Sequence, residues 1–151
     1  MVRRAFGRDD EASLVDALRA DGAVVQSFVA VLEGRIAGHL LFSELRIVGD
    51  TATVSALALA PLAVLPEFQR RGIGSTLVRH GLETCRSRGQ AIVIVLGDPD
   101  FYARFGFSAA RTARLESVFA GRPSFMAIEL VEGALKGVSG QVRYAAAFGI
   151  D

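Results

Sequence analysis

The chain has a single cysteine, Cys85, and only two histidines, His39 and His80, in 151 residues. One thiol forms no internal disulfide, which suits a reducing cytoplasm. Two distant imidazoles and one thiol make no metal-ligand set. Charge of one sign is lacking as well. With a net charge of +1, nothing drives broad binding to nucleic acid or an anionic membrane, so any anion site is local. No apolar stretch approaches the ~20 residues of a membrane span. Met1-Val2-Arg3-Arg4 leads into a charged segment rather than a signal core. Repeats, low-complexity tracts and linkers are missing too. What remains is 51% hydrophobic and 22% charged, the balance of one compact domain that buries roughly two-thirds of its unfolded surface.

Hydrophobic spacing divides this domain into alternating elements. Residues 9–20 read as a helix, with Asp9 or Asp10 as cap and Leu14, Val15 and Leu18 on one face. The runs 27–32 and 36–42 flank Glu33-Gly34-Arg35 as a short hairpin. Residues 51–64 read as a long buried strand. Pro61 interrupts it and donates nothing to a ladder, so the strand should bulge or lose a partner there. A helix over 72–88 puts Ile73, Leu77, Val78, Leu82 and Cys85 on one stripe, and Gly89 ends it. The apolar run 91–96 suits a buried parallel strand behind that helix, which makes a right-handed βαβ unit. A short helix follows near 99–105, its start served by Asp98 and Asp100. Residues 125–130 and 141–148 read as closing strands and 106–124 as loop. The pattern predicts an α/β fold with a mixed, twisted sheet flanked by helices.

The richest segment is 62–74. An apolar run stops at Pro66, a turn follows, and the helix opens on Gly72-Ile73-Gly74-Ser75. Free N–H groups and the positive end of the helix dipole there favour anionic oxygens. Arg70 and Arg71 add charge-assisted donors suited to phosphate. The segment reads as a pyrophosphate cradle. It is not a dinucleotide fingerprint, because Ser75, Thr76 and Leu77 follow where a third glycine is needed. Nor is it a Walker loop, since Gly-Lys-Ser/Thr is absent.

The run Gln69-Arg70-Arg71-Gly72-Ile73-Gly74, behind Leu62-Ala63-Val64-Leu65-Pro66-Glu67, resembles the coenzyme A signature of the GNAT family of N-acetyltransferases. A second segment, Asp98 to Phe107, resembles that family's short helix and the strand start after it. Tyr102 matches the tyrosine that acts as general acid in many members. The likeness covers roughly residues 28–130, and the closing Gly137 to Tyr144 resembles a group of bacterial N-acetyltransferases. It implies an acetyl-CoA-binding domain whose central parallel strands splay, with Pro61 assisting. Leu62 and Val64 would hold the pantetheine arm through their backbone, and the amides of Arg71, Gly72, Ile73, Gly74 and Ser75 would hold the pyrophosphate, with Arg70 beside them. One N–H near Leu62–Val64 would stabilise the thioester oxyanion. Acetyl would pass from acetyl-CoA to a small-molecule or peptide amine by direct attack, with no metal and no acyl-enzyme.

The general base is open between Glu44 and His39. His80 reads as surface, and Cys85 as packing. The family's first strand and most of its first helix have no counterpart before Ala5-Phe6-Gly7-Arg8-Asp9-Asp10-Glu11-Ala12. A bared strand edge implies a possible homodimer. The competing readings are a non-catalytic acyl-CoA-binding module and a partner-binding scaffold that has kept only the fold.

Overall fold

The computed structural model describes residues 9–150, so the comparison at residues 1–8 lies outside the described residues. Helix α1 (Asp9–Ala20) is followed by strands β1 (Val24–Leu32), β2 (Arg35–Val48) and β3 (Thr53–Val64). Then come α2 (Ile73–Ser87), β4 (Ile92–Leu96), α3 (Pro99–Ala103), β5 (Leu115–Glu116), β6 (Phe125–Glu129) and β7 (Gly140–Tyr144). The strands form one seven-stranded mixed sheet in the order β5-β7-β2-β3-β4-β6, with β1 on the first half of β2.

Local chemistry explains the joints. Glu33 and Gly34 both take positive φ, 54° and 73°, which makes the β1–β2 turn a two-residue type I′ hairpin. Helix α2 ends in a Schellman motif: Gly89 has φ 87°, its N–H bonds Arg86 O, and Gln90 N–H bonds Cys85 O at 3.0 Å. Gly22 ends α1 the same way, with Ala23 N–H on Leu18 O.

The two sheet faces bury different cores. Leu40, Phe42, Leu57 and Leu59 pack under Leu77, Val78, Leu82 and Cys85 of α2. Gly81 allows the close approach, because a Cβ there would stand 2.8 Å from both Leu40 and Phe42. The opposite face packs Leu45, Ile47, Ala58, Ile94 and Phe125, and Leu41 receives Val15 and Leu18 of α1. Each such large side chain contributes about 1.5–3 kcal/mol.

The site depends on a break in the middle of the sheet. Leu40 pairs with Leu62 and Phe42 with Leu59, so Leu41 faces both Ala60 and Pro61, joined by a cis peptide. This is a β-bulge, as expected from Pro61. β3 and β4 pair in parallel only at Leu57–Val93 and Ala58–Ile94. Beyond the bulge β3 stays with β2, while β4 follows β6 up to the Leu96–Phe125 pair. The central strands splay.

Four expected boundaries move. The strand expected over 36–42 runs to Val48, since Glu44 and Arg46 lie exposed on one face and only their alternates are buried, which ends the apolar run without ending the strand. Glu44 therefore sits mid-strand. The strand expected over 27–32 begins at Val24. The closing strand stops at Tyr144, and Ala146–Phe148 form a 3₁₀ turn against α1. Residues 106–124 carry a 3₁₀ turn (Ala110–Thr112), strand β5 and a Ser108–Ala127 bridge.

Candidate functional site

In an extended strand, backbone polar groups alternate in direction. Leu65 N–H donates to Ala37 O of β2 at 2.8 Å, so Ala63 shares that direction, while Leu62 and Val64 turn their N–H and C=O toward the splay. Gln69 Nε2 occupies the Val64 carbonyl at 3.0 Å. Among the described residues no strand pairs with β3 on that side beyond Ala58, so an edge opens there, with Gln69 on its last carbonyl.

That edge leads into the start of α2. Gly72 caps the helix at φ 79°, and Arg70 before it holds φ 65°, a conformation that disfavours L side chains. Left-handed residues in a tight loop turn N–H groups into a shared concavity. Thr76 makes the first i→i−4 bond, to Gly72 O at 3.0 Å. The N–H groups of Ile73, Gly74 and Ser75 therefore have no helical partner. Gly74 keeps the approach open: a Cβ there would have Phe101, Val64 and Leu62 within 3.8–3.9 Å.

These features share one cavity of about 510 Å³. Leu62, Val64, Arg70, Gly72, Ile73, Gly74 and Ser75 line it, together with Phe68, Gln69, Phe101 and Arg104. No acidic side chain is among them. The side chain of Arg71 leaves this group, stacks on the Phe68 ring at 5.4 Å and lines a neighbouring hollow. Sequence reasoning passed over Phe101 and Arg104, which are not neighbours of the loop in the chain. Gln69 stood in the recognised run, but nothing in the run signalled its bond to Val64.

Tyr102 is 8% exposed and packs in the α2-side core. Its ring meets Phe101 edge-on at 4.9 Å and Phe107 at 5.6 Å, so it stands behind the cavity wall at Phe101 and, like both candidate bases, does not itself line the cavity. Burial pushes its phenol up to about 12, so it stays protonated through the neutral range. Asp98 caps α3 by accepting from Asp100 N–H at 3.0 Å.

The two candidate bases fall in different places. Glu44 is exposed and pairs with Leu57, roughly 16 Å along β3 from Leu62 at about 3.3 Å per residue. His39 pairs with Ala63, but its Nε2 lies 3.1 Å from Ser27 Oγ of β1, so the ring leans away from the splay. Burial first, and Arg19 second, hold that imidazole below 6.5, and its Nδ1 has no partner among the described residues. Neither side chain lines the cavity. His80 is exposed beside Phe28. Cys85 is fully buried, and burial pushes its thiol up to about 11, which marks a packing residue rather than a nucleophile. No group of three or more His, Cys, Asp or Glu that could hold a metal lies among the described residues. No described helix is long and apolar enough to cross a membrane.

The family model "Acetyltransferase (GNAT) family" matches residues 2–107. The uncharacterized N-acetyltransferase YhbS of Escherichia coli K12 is 38% identical over 146 residues, spanning 95% of this chain and 86% of that protein. The crystal structure of Escherichia coli YhbS with CoA matches at TM-score 0.88 and 35% identity, covering 98% of this chain and 82% of the other. A GNAT acetyltransferase of Brucella melitensis with acetyl-CoA matches at TM-score 0.78 and 34% identity, covering 97% and 86%. Both of these structures were solved with the cofactor, CoA in one and acetyl-CoA in the other. The chain belongs to the GNAT family of acetyltransferases, enzymes that draw their acyl group from acetyl-CoA.

Proposed function

We propose that the protein moves acetyl from acetyl-CoA to a primary amine by direct attack in a ternary complex, within a single domain. The observation that carries this reading is the continuity of one cavity, from the outward backbone of Leu62 and Val64 to the free N–H groups of Ile73, Gly74 and Ser75. Pantetheine can add to such an edge as a strand would, and the pyrophosphate then meets the helix start. Arg70 supplies positive charge beside it.

In the reaction, the amine nitrogen forms a bond to the acetyl carbonyl carbon while the carbon–sulfur bond breaks. A backbone N–H near Leu62–Val64 stabilises the oxyanion, a kind of contact whose loss elsewhere costs about 3 kcal/mol. The departing sulfur takes a proton from the Tyr102 phenol, which carries no charge at neutral pH. With neither imidazole nor carboxylate lining the cavity, we assign the first proton of the alkylammonium to water, so the amine arrives neutral. The second proton, shed by the nitrogen once the new bond has formed, returns through water to the Tyr102 oxygen and restores the phenol. The acceptor is a small molecule or a peptide.

The test is thiol release from acetyl-CoA against a panel of primary amines, run beside an acetyl-CoA titration. Amine-dependent release supports transfer. Tight binding with no release from any amine favours the non-catalytic acyl-CoA-binding module, and absence of binding in folded protein removes both.

Two assignments accompany this reading. We place the reaction in the cytoplasm, on the strength of the single unpaired thiol. We also propose a homodimer along β1, which among the described residues pairs only with β2 and leaves Val29 and Val31 more than half exposed, at 53% and 65%. A monomeric mass in light scattering removes the dimer.

A further inference from the structure

Arg104 follows α3 directly and reaches back across the cavity mouth to the start of α2. Its Nη2 donates to Ser75 Oγ at 2.7 Å, and its Nε makes only a long contact, 3.4 Å, to Phe101 O. The guanidinium lies over the rings of Phe101 and Phe105, at 5.0 and 5.4 Å. Arg79 approaches the Phe105 ring as well, at 5.2 Å. Among the described residues no carboxylate pairs with Arg104 or Arg79.

Arg104 is exposed, so water solvates its charge, and the protein adds no anionic partner among the described residues. Two aromatic faces orient the guanidinium at the cavity. Its closest acceptor is a neutral hydroxyl, and among the described residues most of its five donors have no protein acceptor. Ser75 is also the third helical residue of α2, where free N–H groups and the helix dipole already favour an anion. A phosphate oxygen at that point would replace a neutral hydrogen bond by a charge-assisted one about twice as strong. Restricted by its stack, the side chain has little freedom left to lose.

We propose that Arg104 binds the pyrophosphate of CoA, exchanging Ser75 Oγ for a phosphate oxygen and so tying the helix that carries Tyr102 to the occupied cradle. The inference rests on the acetyl-CoA reading above and adds a residue from the opposite wall to the cofactor site.

The experiment is titration of the full chain with CoA, with 3′-dephospho-CoA and, as a competitor, with pantetheine, for wild type, Arg104→Gln and Arg104→Lys. Arg104→Gln is expected to lose about 10- to 100-fold in affinity for CoA and 3′-dephospho-CoA alike, and nothing for pantetheine. Arg104→Lys, which keeps charge and aromatic contact without the planar fork, is expected to fall between. A loss confined to CoA overturns the pyrophosphate assignment in favour of the 3′-phosphate. An equal loss for pantetheine overturns it in favour of a prop for the cavity wall, and unchanged affinities in both variants overturn it outright. Should Arg104→Gln melt early, the Lys variant carries the same comparison. Wild type that does not bind CoA refutes the acetyl-CoA reading itself, and that outcome is visible before any variant is made.

Discussion

Replacing Gly74 with tryptophan separates the cofactor site from the fold. An ideal Cβ at Gly74 stands 3.8 Å from Phe101 and Val64 and 3.9 Å from Leu62. Those are ordinary contacts, so the first carbon fits and everything beyond it enters the cavity that Gly74 lines. The position is helical and outside the left-handed region, and tryptophan is the better helix former. Stability should therefore stay within about 0.5 kcal/mol of wild type. The indole, however, covers the N–H groups of Gly74 and Ser75. Each charge-assisted bond lost costs about 1.5–3 kcal/mol. Two of them cost about 3–6 kcal/mol, which at about 1.4 kcal/mol per decade lowers acetyl-CoA affinity by about 10²- to 10⁴-fold. The assay is isothermal titration paired with a thermal melt. A folded Gly74→Trp protein that binds acetyl-CoA within about threefold of wild type refutes the placement of the pyrophosphate at this helix start.

Tyr102→Phe should lower kcat about 10²-fold with little change in KM for acetyl-CoA, and a matching fall in affinity would show a packing role instead. Gly97→Ala would set a Cβ 2.5 Å from Tyr102 Cε2; a melt should register about 1–3 kcal/mol of overpacking, with kcat falling as the phenol shifts. Burial raises Tyr102 and Tyr144 from 10.0 to about 12. Between those values the unfolded chain has lost phenol protons that the folded one keeps, so stability falls as pH rises, by about 3 kcal/mol at most for Tyr102 and by less for the more exposed Tyr144. Melts from pH 9 to 12 check this, and Tyr102→Phe should flatten the slope. His39 runs the other way. Its folded imidazole is held below 6.5, so the unfolded state gains protons first as pH falls, and stability should drop below that point in wild type but less in His39→Gln.

The glycine loop at a helix start was legible because its signals are contiguous: the end of β3, Pro66, Gly72 and Gly74 lie within one short stretch, and glycine and proline act on local dihedrals. The bulge was legible for the same reason, since Pro61 carries its own prohibition. The βαβ unit could be read because α2 and β4 have unmixed apolar patterns. Arg104 was not legible, because its meaning comes from Ser75, 29 residues away. Where the His39 ring points was not legible for a related reason, because its hydrogen-bond partner, Ser27, lies on β1, across the other edge of β2. The length of β2 was hidden by Glu44 and Arg46, which are tolerated where one face of the sheet meets solvent.

The bulge explains why a buried strand can also be a binding edge. In a regular strand, residues three apart face opposite sides of the sheet. Leu59 and Leu62 nevertheless both pack with the α2-side core, because the extra residue at Ala60–Pro61 resets the alternation. Without it, one of the two would leave that core. The reset lets β3 keep its apolar face on α2 through its full length while its axis turns away from β4. That turn ends pairing after Ala58 and exposes the backbone of Leu62 and Val64 just before the chain enters the glycine loop. An unpaired edge normally invites another strand. Here it lies in the wall of a cavity, lined by the side chains of Leu62, Val64 and Phe101, where a slender pantetheine chain is a better match than a polypeptide with side chains of its own. The end of β3–β4 pairing and the turned face of Leu62 and Val64 therefore meet at one inserted residue, and the glycine loop begins where that edge ends.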